Sequence, residues 1–525
     1  MRAPDGKSCA ALLCAAALAC GAQAQAPGAS RLVIADAQGD WGLLAPFLHQ
    51  ARGPGYVYSS FVFDTLVWKE ADGTLAPALA ARWQALPGGL CHRFALAAGA
   101  RWHDGRPVTP QDVAFSFDYL RRHHYRFVDL QVIDRVTATP ATKDNAGAVE
   151  VCTREPYAPF MANIAAALPM LPAHVYGPVD APEQFHALAA ATGSGPYRLA
   201  EYNRAQGFYR LERHAGYHAY VPRHAQVFVV KMNPQLALAA MRRGEVDAAG
   251  IPALMADAFR AAGFSVLAQP SNHPYRLLFN HAGRFADARL RQGLAHALDR
   301  QWLADVAYHG QATVAQTGYR QGLPAQSTAR LADYPHDPQR AAALLHAGGW
   351  ARGADGAWRQ GGAPVALDML GDPASEVLAK AVASQLEKLG LTVRLRLEQD
   401  ARITQRLKAR DFDLALLSSS HEGDPDRFRL AVTGLQQRAD DYHANPRLLE
   451  LLEQQKGMQN PAQREAALAE AESLYSRDLP AYLLVNPHNF VAYDPRKVTP
   501  AFTRQGVAMG IPLPWNKTAL FRPAP

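Results

Sequence analysis

The chain has 525 residues, of which 49% are hydrophobic and 19% charged. That length predicts two or three domains, and that balance excludes a wholly disordered chain, a collagen and a coiled-coil rod. The formal net charge of +7 comes from scattered basic residues, with Arg far outnumbering Lys and no run of five or six, so it reads as a mildly basic surface and not as a nucleic-acid-binding face.

Residues 1–26 read as a signal peptide. Arg2 and Lys7 make a short basic start, Ala10 to Ala19 an apolar core too short to span a bilayer, and Ala22-Gln-Ala24 and Ala24-Gln-Ala26 offer two small-residue cleavage sites. Ala17-Leu-Ala-Cys20 is a rival lipid-attachment site, though its Leu and small residue stand in the wrong order. No later window offers the roughly 18 apolar residues of a membrane span. The mature protein is therefore expected to be exported, periplasmic and soluble.

Export also decides the cysteines. Cys9, Cys14 and Cys20 leave with the signal or end it, so Cys91 and Cys152 remain, each in a strand-like run. Two cysteines in an oxidising compartment usually pair. A Cys91–Cys152 disulfide between neighbouring strands is predicted, against the alternative of two buried thiols.

Catalytic motifs are scarce. There is no H-E-x-x-H, C-x-x-C, P-loop or G-x-S-x-G elbow, and Gly193-Ser-Gly-Pro196 reads as a turn. His103-Asp104-Gly105 also reads as a turn, and the adjacent His123 and His124 point to different sides of their element. No cofactor, metal ion or catalytic residue is expected.

The last third is the most legible. Val365, Leu367 and Met369 alternate as in a strand, and Pro373 opens a helix with Leu378, Val382, Leu386 and Leu389 on one face. Gly390 stops it, and Leu391, Val393, Leu395 and Leu397 form a second strand. Strand, helix, strand with short links predicts a parallel, right-handed crossover. A helix near Ala401 to Ala409 leads to Phe412–Leu417, an apolar run that reads as a strand buried on both faces. The polar loop Ser418-Ser-Ser-His-Glu-Gly-Asp-Pro425 follows it, at the carboxyl end where open α/β sheets bind ligands. Asn445-Pro446 and Asn460-Pro461 each start a helix, and Leu483–Val485 and Phe490–Tyr493 read as strands returning to another domain.

Ten stretches in register now carry a resemblance. They include Phe63-Asp-Thr-Leu-Val67, Pro77 to Trp83, Trp102-His-Asp-Gly-Arg-Pro-Val-Thr-Pro-Gln-Asp-Val113, Gly193-Ser-Gly-Pro-Tyr197 and Arg243-Gly-Glu-Val-Asp247. Arg289 to Arg300, Tyr334-Pro-His-Asp-Pro338, Phe412-Asp413 and Asp478-Leu-Pro480 continue the series. In this order the mature chain resembles the bacterial extracellular solute-binding proteins of family 5, the peptide- and nickel-binding components of ABC importers. The resemblance implies an α/β, two-lobe periplasmic binding protein fold of the class C type, with a hinge and an additional domain on the first lobe. Carried over, lobe one spans 27–48, 181–265 and 486–525, the additional domain 49–180, and lobe two 266–485. Trp83, Trp102, Gly105 and Asp112 read as packing, turn and capping residues.

The resemblance also implies which residues meet the ligand. Peptide binders of the family place a Gly-Trp pair after the buried strand and an Asp a few residues later on the peptide's amino group. Here Ser419 takes the Trp place, and Glu422 or His421 the Asp place, because the loop is one residue shorter. Ser420 and Asp424 belong to the same loop, and three hydroxyls in place of an aromatic suggest a smaller or more polar ligand. Tyr56, Tyr58 and Trp41, with His124 and Tyr125, are the other expected contacts. The implied function is to bind a small peptide or amino-acid-derived ligand between the lobes and deliver it to an inner-membrane ABC permease, as a monomer. A nickel- or other metal-chelate-binding protein is the alternative within the family, and a secreted hydrolase on the same fold the alternative outside it.

Overall fold

The computed structural model describes residues 30–49, 53–140, 147–435 and 438–523. The signal segment and Cys20 lie outside the described residues. Among the described residues no helix is long and apolar enough to cross a membrane.

The local signals in the last third build what they promise. Strand Ala366–Gly371 leads through helix Glu376–Lys388, which buries Leu378, Val382 and Leu386, to strand Thr392–Leu397 in parallel register. Gly390 ends the helix at φ +100°, a conformation that a Cβ disfavours. Helix Asp400–Ala409 and strand Leu414–Ser418 add a second parallel crossover on the other edge of Ala366–Gly371. Asn445 and Asn460 cap helices Pro446–Gln455 and Pro461–Asp478, their side chains accepting first-turn N–H bonds. Thr109 and Asp112 form a reciprocal capping box on helix Pro110–Arg122.

The two returning strands are one. A 13-residue strand, Ala481–Tyr493, runs unbroken through Asn486-Pro-His-Asn489. Its first part pairs antiparallel with Tyr275–Phe279, its last part with Ala248–Ile251 and Ser265–Pro270. Pro487 has no N–H to give, but its carbonyl accepts from Ser271 N at 2.8 Å, so pairing continues through the polar stretch.

That shared strand joins two sheets into one ladder. On one side lie Tyr275–Phe279, Leu414–Ser418, Ala366–Gly371 and Thr392–Leu397; on the other lie Ala248–Ile251, Arg31–Asp36, Gln226–Lys231, Phe208–Arg213 and Tyr197–Asn203. The cores stay apart. Tyr482, Leu484 and Val485 belong to one hydrophobic cluster, Phe490 and Ala492 to another, and Asn486 to Asn489 to neither. Two separately packed halves, crossed by few strands, are what a two-lobe fold requires. At the crossing, Ser271 Oγ donates to Asn486 Oδ1 at 2.9 Å and Asn486 Nδ2 to Asn272 Oδ1 at 3.1 Å.

A smaller antiparallel sheet of Ala80–Ala85, Cys91–Leu96, Ala148–Thr153 and Ile133–Thr139 packs with the first half, since Phe94, Val149 and Val151 share a core with Leu32 and Tyr197. Cys91 sits directly opposite Cys152 across two of these strands, and the predicted disulfide joins them.

Candidate functional site

The carboxyl end of the buried strand Leu414–Ser418 opens onto the space between the lobes. A cavity of about 1360 Å³ lies there, larger than the roughly 300–1,000 Å³ of ordinary small-ligand pockets. One wall is the smaller domain, through Leu120, Arg121, His124 to Val132, Arg154 to Tyr157, Asn163 and Ile164. The other is lobe two, through Asp400, Ser419, Asp426, Arg427, Arg429, Leu430, Leu435 and Lys456, and Met509 adds a third edge. The walls touch on both flanks. Ala158 N donates to Lys456 O at 2.6 Å, and Ser420 Oγ to Gly510 O at 2.7 Å.

The expected contacts divide. His124, Tyr125 and Ser419 line the cavity. His124 follows the helix end at φ +49°, exposed, while Tyr125 is buried edge-on against Phe47 and Phe127. Trp41, Tyr56 and Tyr58 do not line it: Trp41 Nε1 and Tyr58 Oη both donate to Asp36 Oδ2, at 3.1 and 2.9 Å, and Tyr56 Oη donates to Ala167 O. Ser420, His421, Glu422 and Asp424 lie behind the cavity wall, where they hold the loop in place.

Each of those four has its own tether. Asp424 accepts two bonds from Arg464, at 2.9 and 2.6 Å. His421 stacks near Tyr319, and its Nδ1 must donate to the Tyr319 carbonyl, which leaves Nε2 to accept from Ser419 Oγ at 3.2 Å. Burial, and then the Arg276 charge, push the His421 imidazole well below its ordinary pKa. Glu422 accepts from Asn272 Nδ2 at 2.8 Å, and its other oxygen is buried without a hydrogen-bond partner. Burial raises its carboxyl to about 7 against the opposing pull of Asn272 and Lys69. The loop fits tightly against lobe one: a Cβ on Gly423 (φ +97°) would stand 2.8 Å from Met509 O.

Cations outnumber anions on the cavity walls, with Arg121, Arg126, Arg154, Arg427, Arg429 and Lys456 against Asp129, Glu155, Asp400 and Asp426. Asp426 is held by Arg429, at 2.7 and 3.1 Å, and by Gln455. Across the gap, burial and then the Asp426 charge raise the pKa of Tyr157. Sequence reasoning missed Arg427 and Asn163. Arg427 carried a faint signal, a cation in the first turn of helix Asp426–Val432, where the macrodipole disfavours positive charge. Asn163 sits in the π-helical turn Met161–Ala165 and carried none.

A two-lobe α/β molecule with a large cavity between its lobes is the architecture of a solute-binding protein. The chain belongs to the bacterial extracellular solute-binding proteins, family 5, whose middle region matches residues 74–439. It is 27% identical over 479 residues to Protein XP55 of Streptomyces lividans, covering 86% of this chain and 83% of that one. It is 26% identical over 370 residues to the nickel-binding periplasmic protein of Escherichia coli, covering 66% and 68%. Its fold matches NikA from Brucella suis in complex with Fe(III)-EDTA at a TM-score of 0.80, with 20% identity over 94% of this chain and all of that one. It also matches AppA from Bacillus subtilis in complex with a nonapeptide at 0.72, with 18% identity over 94% of this chain and 99% of that one.

Proposed function

We propose that this protein is the substrate-binding component of an ABC importer. It takes a short peptide or amino-acid-derived compound between its lobes in the periplasm and presents it to an inner-membrane permease. One observation carries the reading: a roomy, charge-lined cavity walled by the smaller domain that packs with lobe one, by lobe two, and by Met509 at the edge. A ligand touching both walls stabilises the closed form over the open one, and the bonds of the ligand are left intact. His124, Tyr125 and Ser419 would meet it directly, while Ser420, His421, Glu422 and Asp424 keep the loop against residues 506–510. The lobe boundaries expected from the resemblance are retained as part of the proposal. The separate cores on either side of Asn486–Asn489 support the break before 486. Export through the signal peptide and a monomeric state belong to the same reading.

A metal chelate remains the second ligand class, favoured by His124 on the wall and by the nickel-binding relative. The hydrolase alternative has one feature to lean on, the Ser419–His421 hydrogen bond. Yet an imidazole held well below its ordinary pKa is a weak general base. Incubation with a random tripeptide pool, followed by native mass spectrometry and thermal melting, tests the reading. Retained intact tripeptide and a raised Tm are expected. Cleaved peptide, or labelling of Ser419 by a fluorophosphonate, would favour the hydrolase.

A further inference from the structure

Three buried cations among the described residues have no carboxylate in ion-pair contact: Lys69 beside Ala508 O, Arg291 in a ring of backbone carbonyls, and Arg427, the one that lines the cavity. Arg427 is 9% exposed, and no carboxylate partner is present among the described residues. Its guanidinium reaches only two carbonyls, Met509 O at 3.3 Å and Ser420 O at 3.4 Å, and its Nε is buried with no hydrogen-bond partner. Removing a cation from water without a counter-charge is costly, and two long bonds to neutral oxygens offset little of it. Two other buried cations have carboxylates: Lys517 with Asp64 at 2.5 Å, and Arg320 with Glu472 at 3.0 Å. Across the cavity, Asn163 is 3% exposed, and its Oδ1 accepts nothing.

We propose that Arg427 is the receptor for a carboxylate of the bound ligand, with Asn163 on the facing wall taking one of its N–H groups. The assignment rests on the solute-binding reading and narrows it to ligands bearing both groups. The planar fork of Arg427 suits a carboxylate, and the desolvated site makes the charge-assisted bonds strong. Arg427 also bridges the lobes, because Met509 lies on the lobe-one side of the seam. A carboxylate there neutralises the one cavity-lining cation that is buried without a counter-charge. Glu422 has no such role: it is sealed behind the loop beside Lys69, and both belong to the seam.

The test uses the mature protein, its R427M and R427K variants, and two kinds of probe. Random tripeptides are compared with the same pool carrying C-terminal amides, and nickel(II)–L-histidine with nickel(II)–histamine, which lacks the carboxylate. Wild type is expected to bind the carboxylate member of at least one pair on the order of ten- to a hundred-fold more tightly than its partner, the worth of a charged hydrogen bond. R427M should lose that discrimination without weakening binding of the carboxylate-free probe, and R427K should keep only part of it. The Tm of unliganded R427M should match or exceed that of wild type. Which pair discriminates tells whether the carboxylate belongs to a peptide or to a chelate. Equal wild-type affinity within every pair that binds overturns the assignment and leaves the solute-binding reading standing. Binding of none of the four probes overturns both.

Discussion

Arg276 and Arg427 lie in the same lobe and are both withdrawn from water, yet their surroundings are opposite. Arg276, on strand Tyr275–Phe279, is fully buried against Asp440 and the Arg438 carbonyl, and Asp440 accepts a further bond from Tyr475 Oη at 2.7 Å. Arg427 lines a cavity and has only long carbonyl contacts. The contrast teaches where to look for function. A charge inside a core must find its partners within the chain, a carboxylate as for Arg276 or a ring of carbonyls as for Arg291, because no other source exists. A charge on a cleft wall can leave that place open for a guest.

The largest effect should come from breaking the core pair. Asp440→Asn leaves Arg276 charged and uncompensated, and a loss of about 3–5 kcal/mol in urea unfolding is expected. R427M, which removes a charge already uncompensated, should cost little by the same measurement. Equal losses would erase the contrast.

Glu422 sharpens it from the acidic side, at the seam between the lobes. Its carboxyl moves from the ordinary 4.5 to about 7 in the folded protein, mainly through burial. The folded state therefore holds a proton that the unfolded chain releases. Its contribution is fully present below about pH 4.5 and is lost as pH rises through about 7, a change worth about 3 kcal/mol. E422Q should flatten this part of the Tm–pH profile and raise Tm at pH 8. An unchanged profile would mean that Glu422 is solvated.

Ser420→Ala should act least. It removes one bond across the seam, to Gly510 O, and about 1 kcal/mol is expected from equilibrium unfolding.

Much of the fold could be read from local signals. Asn445 and Asn460 before prolines, Gly390 after a helical face and the Thr109–Asp112 pair each name an element boundary within a few residues. The site was legible only in part. The loop after Leu417 reaches the cavity, and Ser419 lines it. Which face each loop residue presents was not readable, because a tight polar turn has no periodicity. Glu422 looked available for a ligand's amino group, yet the 506–510 segment closes over it from nearly ninety residues away. Asn486-Pro-His-Asn489 looked like a break, yet a distant partner, Ser271, keeps the strand continuous.

By itself the sequence determined the α/β pattern, the pairing of Cys91 with Cys152 and the family, because these depend on near neighbours or on motifs in order. Only the tertiary structure decided that Arg427 would be buried without a counter-ion while Arg276 would have one. Burial and partnership of a charge are set by segments far apart in the chain, and no local pattern in a sequence records them.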